Sequence, residues 1–200
     1  MSYTISMRKI LQALFYIQNH APATNNSKQT VMYFLKILFF ADRYHMRHYG
    51  CLASDDSYYA MKNGPVASAA KDIMNNKLPE CAAVSDANLL KDVESLDEYS
   101  VYIKPQSDDE LSESFKEALD FSISNFGKFC QFDLSDISHD YPEWKKFEKK
   151  LGVDGNRFLM DEKDFLLNPD TLEKSKTKGL HDDVFTMDED FLNALRDKID

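Results

Sequence analysis

The chain has 200 residues, 43% hydrophobic and 12% aromatic, which is enough apolar matter to bury a core and too much for a disordered segment. Lys and Arg number 24 against 34 Asp and Glu, and the resulting −10 offers little long-range attraction to phosphate, so neither nucleic acid nor an anionic membrane is an expected partner. Cys51, Cys81 and Cys130 have no short paired spacing, which argues against a disulfide scaffold or a structural zinc site and fits a reducing cytoplasmic setting.

The charge is polarised along the chain: residues 1–80 carry nine Lys/Arg and five Asp/Glu, and residues 81–200 carry fifteen and twenty-nine. Met1-Ser2-Tyr3-Thr4 lacks the charged and apolar regions of a signal peptide. The most apolar run, residues 31–41, is broken by Lys36 and is about half the roughly 20 residues of a membrane span. A soluble chain is expected.

A first helix is predicted over about 4–20, with Met7, Ile10, Leu11, Leu14 and Ile17 on one face. Residues 21–27 read as a loop, and Asn26 or Ser27 is placed to cap a second helix. That helix, about 28–48, is apolar on every side and should be the central core element. Tyr58-Tyr59-Ala60-Met61 reads as a strand ended by Asn63-Gly64-Pro65, with Pro65 in the first turn of a third helix reaching about Asn76. Residues 76–97 read as mostly loop, and Tyr99, Val101 and Ile103 alternate as a second strand.

Ser107 to Glu110 fits a capping box opening a helix to about Phe129, striped by Leu111, Phe115, Leu119 and Phe126. Asp140 to Glu143 is an acidic variant of that box, opening a helix that carries Trp144, Phe147 and Leu151. Residues 174–179 read as a polar linker, and Thr186 to Glu189 as a third box before a short helix with Phe191, Leu192, Leu195 and Ile199 on one side. The expected fold class is mainly α with a small β element, a compact helical domain around the helix at about 28–48.

No constellation marks an active site. Ser138-His139-Asp140 has the letters of a hydrolase triad, but three consecutive side chains rarely converge on one point. Asp42, His45 and His48 lie three apart on one helix, where the side chains rotate away from a shared metal. No Gly-rich phosphate loop occurs, and neither cofactor nor metal is implied. Tyr44, Tyr49, Tyr58 and Tyr59 form a tyrosine cluster suited to an interface.

Three stretches are recognisable: residues 36–44 (Lys-Ile-Leu-Phe-Phe-Ala-Asp-Arg-Tyr), Tyr49-Gly50, and residues 58–66 ending in Asn63-Gly64-Pro65-Val66. With Leu134 to His139 followed by Trp144-Lys145, this order resembles the Panacea-domain family of SocA-like bacterial and prophage antitoxins. The resemblance spans about residues 3–151. It implies a mainly helical domain with a small β element over residues 1–151; residues 152–200 are outside the resemblance and read as a C-terminal extension with a short acidic helix, packed on the domain or partly mobile. The resemblance also implies an antitoxin that neutralises a cognate toxin protein by direct binding, without enzyme activity.

The partner-binding candidates are Tyr58, Tyr59, Lys62 and Asn63, because a strand turns one of two adjacent tyrosines outward. Asp42, Gly64, Pro65, Ser138 and His139 are assigned to structure: Asp42 needs a partner inside apolar surroundings, and Ser138 and His139 organise the turn before Trp144. One alternative is an adaptor that delivers the toxin to a cellular protease, docking through the tail at 182–200. Another is a hydrolase or metalloprotein using Asp42, His45 and His139.

Overall fold

The computed structural model describes residues 5–22 and 30–199. Helix α1 (Met7–His20) is capped by the Ser6 hydroxyl, which accepts from the Lys9 amide, and buries Ile10, Leu11, Leu14 and Ile17. Helix α2 (Val31–Tyr49) runs through the centre, with every side chain from Tyr33 to Arg43 buried. Its cap is the hydroxyl of Thr30, and it stops at Gly50, whose φ of +81° is open to a residue without Cβ. The sequence expectation had this helix starting at about residue 28. The expected loop and caps at Asn26 or Ser27 lie outside the described residues.

After α2, β1 (Tyr58–Met61) turns at Lys62-Asn63 into β2 (Gly64–Ala67), with Ala60 opposite Pro65 and Met61 opposite Gly64. Pro65 is therefore in a strand and not in a helix. Strand β2 is at the edge of its sheet, where a residue without N–H is tolerated. Helix α3 (Ser68–Met74) begins only after it. A 3-10 helix, Val84–Asp92, and strand β3 (Val93–Ser95) occupy much of the expected loop, and β3 pairs antiparallel with β4 (Val101–Ile103).

Helix α4 (Glu113–Phe126) packs along α2 and is capped by Ser112, not Ser107, whose hydroxyl instead donates to Asp109. Helices α5 (Gln131–Ser138) and α6 (Pro142–Lys145) come after it; α6 is one turn long, because Asp140 and Glu143 face other partners and cap nothing there. Strand β5 (Phe158–Leu159) adds to β1, completing a three-stranded sheet in the order β2-β1-β5. The expected linker holds helix α7 (Glu173–Thr177), with Ser175 fully buried. Helix α8 (Glu189–Arg196) is capped by Asp188, and Thr186 instead bonds back to the Asp182 carbonyl.

The fold is mainly helical, with two small antiparallel sheets among the described residues, where the sequence expectation had a single one. At its heart Phe39 meets the rings of Tyr58, Tyr141 and Phe165, each edge-on at 5.7 Å between centroids. Met160, Phe165, Leu166, Phe185 and Leu192 belong to the same apolar cluster as α1 and α2.

Candidate functional site

The signature residues meet around the β1–β2 hairpin, and most of them face inward. Asp42, fully buried on α2, accepts from the Ser54 amide at 2.9 Å, the Ser54 hydroxyl, and the Tyr58 hydroxyl at 2.7 Å. Burial pushes its carboxyl above the ordinary range, and those same donors oppose the shift. Tyr58 is 2% exposed, so it is the inward ring of the pair and not part of a surface. Asp56, also buried, accepts from the Ala69 and Ala70 amides at the start of α3, and burial lifts it to about 6.

Earlier on the same helix, Lys36 is buried to 1% and donates to the Pro65 carbonyl at 2.9 Å. Burial pulls its ammonium well below the usual lysine value. Gly64, at φ +97°, lets the hairpin press onto Lys36 Nζ and Ser138 Oγ, and a Cβ there would overlap both. Ser138 donates to the Ser135 carbonyl, and Ser135 to the carbonyl of Asn63. The His139 ring stacks on Trp144 at 3.7 Å, and the Trp144 indole N–H donates to the Met61 carbonyl. Helices α2, α5 and α6 thus hold the hairpin by its backbone.

Ser138, His139 and Asp140 do not converge: Ser138 is bonded to Ser135, and Asp140 accepts from the Ser175 amide and hydroxyl. His139 Nε2 is buried without a hydrogen-bond partner among the described residues. Burial, then the charges of Lys174 and Lys36, hold that imidazole down to about 3. His45 bonds to the Cys51 carbonyl and to Ser114, away from His139, and among the described residues no group of three His, Cys, Asp or Glu could hold a metal ion.

The outer face of the sheet is different. Tyr59 stands between Val66 and Leu159 in register, and Leu159 is 61% exposed. The Arg157 guanidinium lies over the Tyr59 ring at 3.6 Å, and Lys62 and Asn63 are exposed at the hairpin tip. While Lys62 and Asn63 are at the tip of the hairpin, Tyr59 is on the outer face with Leu159 and Arg157, two residues that sequence reasoning did not single out. The signal for those two was weak: Phe158-Leu159 is too short a run to read as a strand.

Sequence reasoning also missed the burial of the ionisable side chains Lys36, Asp56 and Glu143. A charge interrupting a helix that is apolar all round was the available sign for Lys36. Glu143 pairs with Arg43 at 2.8 Å, both nearly inaccessible, and Arg43 also lies over the Tyr141 ring at 4.3 Å.

The family model described as antitoxin SocA-like, Panacea domain, matches residues 34–145, from the first turn of α2 through α6. No curated protein and no solved structure matches the chain. No helix among the described residues is long and apolar enough to cross a membrane. The matched segment covers more than half of the chain and contains both halves of the hairpin clamp, and on that extent the protein belongs to the SocA-like antitoxin family as a Panacea-domain member.

Proposed function

We infer that this chain neutralises a cognate protein toxin by direct binding, and that the toxin docks on the outer face of the β2-β1-β5 sheet. The observation that carries the reading is the row Val66–Tyr59–Leu159 on the outer face of the sheet, with Val66 and Tyr59 half-buried and Leu159 61% exposed. An aromatic ring beneath Arg157, on a hairpin whose tip exposes Lys62, has the make-up of an interface anchor. The sheet's other side is clamped through Asp42, Lys36 and Trp144, so the row is presented without much ordering cost on binding.

The test is co-expression with the toxin encoded beside the gene, followed by titration of the purified pair. Tyr59→Ala should weaken binding by about 2 kcal/mol or more while the free protein melts as wild type. Tyr58→Ala should instead destabilise the free protein by roughly 3–5 kcal/mol, as other buried aromatic truncations do. Full affinity in both Tyr59→Ala and Leu159→Asp would remove this face from the interface.

A further inference from the structure

Between α2, α4 and residues 184–187 lies a cavity of about 130 Å³. That is roughly ten times the space one water requires, enough for a six-membered ring with one acidic group. Phe40, Phe126, Tyr141 and Phe185 supply apolar walls, and Thr186 is an exposed residue lining it.

The charged groups of the lining are unbalanced. Arg43, Arg47 and the titratable His48 face the cavity, and among the described residues no carboxylate lines it. Glu143 serves Arg43 through its Nε, whereas the acceptors of Arg47 among the described residues are neutral: the carbonyls of Phe165 and Leu167, and Asn168 Oδ1. Burial, then the charge of Arg43, lowers Arg47 to about 9, and the Glu143 carboxylate, which it shares with Arg43, only partly opposes the shift. Arg43 bonds through Nε and Nη2, and Arg47 through Nη1 and Nη2. Arg43 Nη1, Arg47 Nε and the Tyr141 hydroxyl therefore have no acceptor among the described residues.

We propose that this cavity binds a small aromatic carboxylate or phosphate ester, its ring against the Phe and Tyr walls and its anionic group on Arg43, Arg47 and Tyr141. Uncommitted donors and two guanidiniums sharing one carboxylate favour an anion, and the ring walls favour an aromatic body. The α2, α4 and Tyr141 walls lie inside the segment matched by the family and residues 184–187 lie outside it, so the site is completed by the C-terminal part of this chain.

The full chain is titrated calorimetrically with benzoate and phenyl phosphate at millimolar concentration, with benzamide as the uncharged control. The expected result is saturable binding of at least one acid, a raised melting temperature in its presence, and at least tenfold weaker binding of benzamide. Thr186→Trp, at an exposed lining position that makes no hydrogen bond to either arginine, places a large ring in the cavity; it should melt as wild type unliganded and lose at least tenfold in affinity. No binding of either acid, equal binding of benzamide, or unchanged affinity in a folded Thr186→Trp protein would overturn the proposal. The titration uses the chain alone, so its failure leaves toxin neutralisation untouched.

Discussion

Lys36 brings an amine into the middle of the molecule and donates there to the carbonyl of Pro65. The close approach depends on Gly64, because any side chain would overlap both Lys36 and Ser138 and would sit at a φ of +97°. Gly64→Ala should cost at least about 2 kcal/mol, read as a lower denaturant midpoint at unchanged slope. A midpoint equal to wild type would mean that the hairpin moves away freely and that the clamp is not tight.

His139 makes the second residue-scale case, through pH. Its folded-state value of about 3 lies below the 6.5 of a free imidazole, so the unfolded chain binds more protons between those limits. This contribution is present above about pH 6.5 and is lost as pH falls toward 3. Asp56 works in the opposite direction, since its rise from 3.8 to about 6 lets the folded state bind the extra proton in that window. Comparing variants separates the two. His139→Phe keeps a ring against Trp144 and has no buried nitrogen to leave unpaired, so it should gain on wild type in melting temperature as pH drops from 7 to 5. A gap that stays constant over that range would place the titration elsewhere.

Among the elements, α7 owes its start to a distant residue. Asp140 accepts from the Lys174 amide at 3.3 Å and from the Ser175 amide at 2.7 Å, which satisfies groups that a five-residue helix cannot. Asp140→Ala should cost about 1–2 kcal/mol and raise amide exchange in residues 173–180 before the rest of the chain. Uniform exchange across the molecule would count against this local role. The same contact explains why the sequence misled. Asp140 stands where a cap for Pro142 belongs, yet its carboxylate turns to a segment more than thirty residues away, which no local pattern records. Helix α2, by contrast, was legible because its all-round apolar surface has one physical solution. So was the inward-outward split of Tyr58 and Tyr59, although which ring faced in depended on Asp42. Strand β2 was not legible: Gly64-Pro65 is common at helix starts, and only pairing with β1 shows otherwise.

Across the whole molecule, one core serves both the matched segment and the chain beyond it. Phe185 is 1% exposed and packs against Phe126 and Tyr141 at 6.0 and 5.7 Å between ring centroids, while Leu192 seats α8 in the same cluster. Residues 180–199 are therefore part of the fold, and deleting them does more than remove a tail. Loss of Phe185 alone should cost roughly 3–5 kcal/mol, a large share of the stability of a domain this size. Testing delivery to a protease by truncation would thus confuse unfolding with loss of a docking signal. Phe191 offers a cleaner probe, being on α8 yet 46% exposed. Phe191→Ser should leave the stability within about 1 kcal/mol of wild type, as surface substitutions do. If the chain neutralises by direct binding, that variant should still protect cells from the toxin at unchanged toxin half-life. Protection lost together with a lengthened toxin half-life, in a protein that still melts as wild type, would mean that α8 hands the toxin to a protease.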